Sequence, residues 1–427
     1  MAEEPTLLPT VLARIASLET ADIAIGIPTY NNGETVGHVV EIVQAALCDR
    51  LASYRSEIIN ADAGSTDDTV EKFAGKDLTH SPVVQLTYAV LPGQKLVPLD
   101  YEVPDKGRAV KGILRAAQQL QAKACVILAP NLRGLTPAAV GALCRPVLEE
   151  KFDFVAPYYK RHKFDGLVTS GLVYPLIRAL YGKRIRQPMG GDFAVSGPLV
   201  AHYLAQNVWE SDKGRVGVDL WMVTEAINKG FKLCQARVGA VSRVFREPAP
   251  ALSATLAQVL TEIFDLAIRD ISVWQRVRGS EEVPLLEAAP DLPLAEVALD
   301  PQSSIDSFRL GFKNLQPVWG AVLPPATMLV LKRMGDGPNA RFIFPDQAWA
   351  RTVFDFALGY RLRTMNRDHL LHAFTPLYLA WVASFAGEMR DARPEQAERR
   401  FEALCLAFES QKPYLISRWR WPDRFNP

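Results

Sequence analysis

One plan, repeated near the start of the chain, limits what it can fold into. "ADIAIGIPTYNN" is an apolar run over residues 23–27 that ends at Pro28 in a polar turn. "GETVGHVVEIVQAAL" follows with apolar residues three and four apart, the period of a helix with one buried face. "SEIINADAGSTDDTVEKF" repeats the plan: a strand, a Gly/Asp turn, then a helix with Ser65 or Thr66 expected near its N-cap. "VVQLTYAVL", "GRAVKGILRAAQQLQ" and "ACVILAP" supply a third strand, a third helix and a fourth strand. Strands alternating with helices predict an α/β fold with a doubly wound, mostly parallel sheet. Ligands of such sheets bind beyond the carboxyl ends of the strands. Residues 28–32, 62–65 and 129–133 are then expected along one edge.

From about residue 250 the patterns are almost wholly helical. We therefore expect two domains, 1–250 built on the sheet and 251–427 helical. The Pro/Ala/acid-rich stretch "EEVPLLEAAPDLPLAEVALDP" reads as an exposed connection. With 427 residues, 48% of them hydrophobic, both domains can hold real cores. A net charge of +1 lacks the basic excess that a nucleic-acid partner would want. Five scattered cysteines without a C-x-x-C pair suit reduced thiols and a cytoplasmic location, not a disulfide framework. The opening "MAEEPTLLPTVLARIASLET" carries acids where a secretory signal carries bases. Its Leu8, Val11, Leu12, Ile15 and Leu18 are spaced as one face of a short helix. "LLHAFTPLYLAWVASFAG" is long enough to span a bilayer, but it holds His372 and Pro376 and is read as a buried helix.

Four ordered motifs carry a resemblance. "IPTYNNGETV" with "NADAGSTDDT" resembles the nucleotide-binding opening of GT-A fold glycosyltransferases. "PDKGRAV", "QPMGGDFAVS" and "GRVGVDLWM" resemble, more particularly, the mannosylglycerate synthases and glucosyl-3-phosphoglycerate synthases. The resemblance covers residues 22–250 and implies a GT-A nucleotide-diphospho-sugar transferase followed by a helical region. It implies retaining transfer of a hexose to a small carboxylated, glycerate-like acceptor. The partners implied are a UDP- or GDP-hexose and that acceptor, with no nucleic acid and no membrane span; a homo-oligomer is allowed. A nucleotidyltransferase would want a Gly-rich first loop, which "PTYNNGET" does not supply.

The site residues follow motif by motif. Pro28, Thr29, Tyr30 and Asn31 end the first strand, where backbone groups can cradle base and ribose. Asp62, with Ser65 beside it, can accept a base ring N–H or cap a helix. Asp67 and Asp68 suit a first helical turn. Lys106, next to Gly107, can reach a diphosphate or lie solvated. Gly190 and Gly191 allow close approach or positive φ, and Asp192 follows them. By position, Thr169 matches a family residue that helps bind the acceptor carboxylate; as a helix-interior threonine it would bond its own backbone. Asp219, in an otherwise apolar helix, should have a buried partner. Asp219 and Asp192 are the expected catalytic acids.

"VILAPNLRG" departs from the family pattern. The Asp-x-Asp that would hold Mg²⁺ or Mn²⁺ falls on Ala129 and Asn131, and a third ligand, often histidine, falls near Ser242. One neutral amide will not hold Mg²⁺ tightly. No cofactor is therefore assigned, and Mg²⁺ or Mn²⁺ is disfavoured. Three explanations stay open. Lys106, Arg133, Arg243 or Arg246 can supply the charge instead of a metal. A shifted carboxylate, Asp105 or Asp192, can be a ligand. Or the chain is a non-catalytic nucleotide-sugar-binding paralogue with a regulatory or scaffold role.

Overall fold

The computed structural model describes residues 20–74, 83–88, 103–210, 217–243, 252–286, 294, 297, 299–338 and 342–421. The amphipathic helix expected before residue 20 lies outside these, as does Arg246. The chain forms two compact units. The first holds Met1–Lys160, Gln187–Pro250 and Val283–Leu294; the second holds Arg161–Arg186, Ala251–Glu282 and Ala295–Pro427. The expected boundary at 250 is thus one of several crossings. Residues 161–186 belong with the helices and β12, at 285–286, with the sheet, which a single cut misses.

In the first unit the strands are β1 (Ile23–Thr29), β2 (Ser56–Asp62), β3 (Val83–Thr87), β4 (Ala124–Ile127), β5 (Leu132–Arg133) and β6 (Phe154–Tyr159). In the second, β7 (Lys183–Arg184) pairs with β11 (Glu281–Glu282). The first unit adds β8 (Phe193–Ser196), β9 (Leu233–Gly239), β10 (Ser242–Arg243) and β12 (Leu285–Leu286). Eight strands form one sheet in the order β12-β9-β6-β8-β4-β1-β2-β3. It is parallel except for β8, which runs antiparallel to both β4 and β6. The mixed α/β architecture is as the sequence predicts; the antiparallel β8 is not foreseen there.

Every residue of β1 is buried, so it reads as a continuous apolar run and not an alternating one. Helices α1 (Val36–Asp49), α2 (Thr69–Ala74), α3 (Lys106–Gln119) and α4 (Pro137–Leu148) connect the strands. Val36, Val39, Val40 and Val43 of α1 join Val140 and Leu143 of α4 and Ile25 of β1 in one core. The opposite face receives α3. A Cβ on Gly26 would lie 2.2 Å from a side-chain carbon of Ile113, so glycine lets α3 sit directly on β1. Helix α2 starts later than expected. Asp67, rather than Ser65 or Thr66, meets its first amide, accepting from Thr69 N–H at 3.1 Å.

The second unit contains α5 (Tyr174–Tyr181), entered through a π-helical turn, Thr169–Val173. The first unit then continues with α6 (Gly197–Leu204) and α7 (Val218–Asn228). The remaining helices are α8 (Leu252–Arg269), α9 (Ile271–Trp274), α10 (Pro301–Gly320), α11 (Pro325–Asp336), α12 (Asp346–Leu362), α13 (Arg367–His372), α14 (Thr375–Met389) and α15 (Pro394–Arg420). Trp349 stacks on Trp381, and Phe385 on Phe401, to fill their core. Fully buried Arg178 donates to Glu402 and Glu409. The stretch Arg367–Met389 is long and apolar enough to cross a membrane, and 72% of its most apolar window is buried within the protein.

Candidate functional site

The sheet's connections place three kinds of segment on one edge. The loops after β1, β2 and β4 leave there, and α3 and α7 begin there because each precedes a parallel strand. Antiparallel β8 enters there, bringing residues 190–192. The expected site residues that belong to the first unit lie on this edge. Thr169 opens the π-helical turn and belongs to the other unit.

The first two loops are tied to each other. Pro28 lies in β1, opposite Ala61 in β2. The amide of Tyr30 donates to Asn32 Oδ1 at 2.8 Å. Asn31 has φ +50°, its amide donates to Ser65 Oγ at 2.8 Å, and its Oδ1 accepts from the Thr66 amide at 2.7 Å. Asp62 is only 2% exposed and already much engaged. It accepts from the amides of Gly64 and Ser65, from Ser65 Oγ at 2.6 Å and from Thr29 Oγ1 at 2.9 Å. An aspartate that bonds the amides two and three residues on is a turn-maker. The structure thus adds a turn-making role to the base-reading and capping roles that the sequence allows for Asp62.

Lys106 does not stand solvated. Its Nζ donates to Asp219 Oδ2 at 2.6 Å, and both side chains are buried. Gly107 is buried beside it in the first turn of α3. A cation at a helix N-terminus opposes the helix dipole, whereas Asp219 in the first turn of α7 complements one. The pair resolves both demands. Removing Lys106 would strand the charge of Asp219, at about 3–5 kcal/mol. Asp219 Oδ1 is buried with no hydrogen-bond partner among the described residues. Such an acceptor costs about 1–3 kcal/mol until something donates to it.

At the end of β4 the amide of Ala129 donates to Asp192 Oδ1 at 2.7 Å. The hydroxyl of Tyr159 donates to Asp192 Oδ2. Arg243 Nη2 lies 3.4 Å from that same oxygen and donates to the carbonyl of Gly190. Two devices hold this cluster. Strand β10 pairs antiparallel with β5, setting Arg243 opposite Leu132, just past Asn131. Gly191 has φ +74°, and a Cβ there would lie 2.4 Å from Arg243 Nη2. Only glycine suits that backbone and leaves room for the guanidinium. Asn131 is buried, Arg133 is exposed on β5, and Asp105, at φ +51°, faces Arg108 Nε at 3.3 Å.

A divalent cation fits these residues poorly. It wants several oxygen ligands, ideally charged. Ala129 offers none, Ser242 is exposed at the expected third position, and no group of three His, Cys, Asp or Glu among the described residues could hold a metal. Both oxygens of Asp192 already face donors. A cation bound beside Asp192 would also be repelled by the guanidinium of Arg243.

Sequence reasoning missed Tyr159 and Gln187. Gln187 Oε1 accepts from the Tyr159 amide at 2.7 Å and so fixes the end of β6. The apolar run "FDFVAPYY" marks β6, and Tyr159 is its last residue; that run was the available signal.

No protein-family model matches the chain, and no curated protein matches it. Among solved structures it is similar to a glucosyl-3-phosphoglycerate synthase from Mycobacterium tuberculosis in complex with Mn²⁺, UDP and glucosyl-3-phosphoglycerate. The identity is 22% and the TM-score 0.42, over 60% of this chain and 82% of that one. The same synthase with Mn²⁺, UDP-glucose and phosphoglyceric acid has a TM-score of 0.41 at the same identity and coverage. A mycobacterial protein is 20% identical, with a TM-score of 0.41, over 60% of this chain and 77% of that one.

Proposed function

We propose that the carboxyl edge of the sheet binds a nucleoside diphosphate hexose and passes the sugar to a small carboxylated acceptor. The supporting observation is Asp219. Its carboxylate holds Lys106 with one oxygen and keeps the other buried and unmet among the described residues, on the edge where an α/β sheet receives its ligand. A sugar hydroxyl is a donor of suitable size for it. In the reaction the bond from the anomeric carbon to the diphosphate breaks. A bond from the acceptor hydroxyl oxygen to that carbon forms, and the hydroxyl proton leaves with the diphosphate. Asp219 would orient the sugar and Lys106 would set the orientation of Asp219. The loop of Gly190 and Gly191 offers backbone at close range.

Asp219→Asn should leave UDP or GDP affinity within about threefold yet lower hexose transfer to glycerate or phosphoglycerate more than about tenfold, the loss of one charged hydrogen bond. Calorimetry and a coupled assay of nucleotide release measure the two. Equal transfer by the variant and the unmodified protein would remove Asp219 from the site. The competing reading, a paralogue that binds a nucleotide sugar without turnover, draws on Asp62 and Asp192, whose carboxylates already serve internal donors. Binding without transfer across both acceptors would favour it.

A further inference from the structure

The poor fit of a divalent cation has a positive counterpart in Arg243. Its side chain is 18% exposed while that of Asp192, beside it, is 3% exposed, so the arginine is the member of the pair that solvent reaches. The β10–β5 pairing delivers it to the loop after β4, the Gly190 carbonyl orients it, and the missing side chain at Gly191 makes space for it. Asp192 joins it to that loop by accepting from the amide of Ala129. Lys106, another cation of this edge, is already neutralised by buried Asp219. A planar guanidinium matches phosphate oxygens with two parallel donors.

We propose that Arg243 is the phosphate-binding counter-charge of this site, standing where a metal-dependent transferase would use a divalent cation, so that a diphosphate binds here without metal. The inference rests on the reading of this edge as a nucleoside diphosphate site. Asp192 is then a positioning residue and a mild competitor: it aims the guanidinium and also opposes an incoming anion.

The test is calorimetry of inorganic pyrophosphate, UDP and GDP on the full chain in excess EDTA, with and without later addition of Mg²⁺. Pyrophosphate should bind in EDTA. Arg243→Gln should weaken it about tenfold or more, and Arg243→Lys should weaken it less, because a point charge keeps attraction but loses the paired donors. Asp192→Asn should tighten it several-fold, the sign opposite to that of a metal ligand. Pyrophosphate binding that appears only with Mg²⁺, that survives unchanged in Arg243→Gln, or that is lost in Asp192→Asn would overturn the inference. If Arg243→Gln fails to fold by circular dichroism, the Arg243→Lys and Asp192→Asn signs decide it. Should pyrophosphate follow this pattern while UDP and GDP bind no better, the counter-charge stands and the nucleotide reading falls. Should UDP or GDP bind with an affinity indifferent to Arg243, the nucleotide reading stands and the counter-charge falls.

Discussion

Two buried charge systems sit in this protein, one on the sheet edge and one among the helices, and they are built differently. In the helical unit Arg178 meets Glu402, Glu409, Tyr174 and Ser280. Buried Asp355 accepts from Tyr414 and Arg418, and Lys412 donates to the carbonyl of Ala179. These groups tie α5, α12 and α15 to one another. On the sheet edge Asp219 holds one partner and keeps an oxygen in hand. Burial alone therefore does not mark a functional charge. In the function proposed above, the distinguishing features are the unmet oxygen of Asp219 and the partly exposed side chain of Arg243.

The contrast can be broken in several ways. The largest effect is expected at Arg178→Ala, which should cost about 3–5 kcal/mol of stability in a urea titration by leaving two glutamates without their cation. A loss below about 1 kcal/mol would make the helical network ornamental. Next comes Asp62→Ala, expected to cost roughly 1.5–3 kcal/mol, because its carboxylate organises the turn after β2. Urea unfolding should show that loss even without nucleotide. Unchanged stability with weakened UDP or GDP binding would return Asp62 to the role of a base reader.

The smallest effect per step is a pH slope, at most about 1.4 kcal/mol per pH unit for one group. Burial raises Asp355 from 3.8 to about 7, against the pull of Arg418 and Tyr414. Between those values the folded protein keeps a proton that the unfolded chain has released, so stability should fall as pH rises from about 4 to about 7. Asp355→Asn should flatten that part of a thermal-midpoint profile. Burial lowers Lys412 from 10.5 to about 8, with Arg278 adding to it. There the unfolded chain holds the extra proton, so stability gained through Lys412 should rise from about pH 8 to about pH 10.5, and Lys412→Met should remove the rise. Slopes that persist in both variants would move the titrating groups elsewhere.

The sequence made the first part of the sheet legible because local chemistry governs it. Apolar runs stop at Pro28, Asp62 and Ala129, and helical periods follow. What stayed hidden depends on distant pairings. Asp219 finds Lys106 across 113 positions, and Asp192 finds Ala129 across 63. Residue type announced that a buried acid needs a partner but could not say which. The antiparallel sense of β8 and the placement of residues 161–186 with the helices are likewise settled by packing, not by any local period.

Strand β8 also has a consequence for how the molecule comes to be folded. It alone joins β3-β2-β1-β4 to β6-β9-β12. The earlier group can pair as soon as residues 20–127 are available, since its connections are local crossovers. The later group cannot join it until the chain has left for the other unit, returned, and laid β8 between β4 and β6. Closing so long a loop draws on chain entropy before any contact repays it, which makes that return the slow event. Until it occurs, β4 is an open edge able to pair with another chain, so crowding during synthesis threatens this protein most just before β8 arrives.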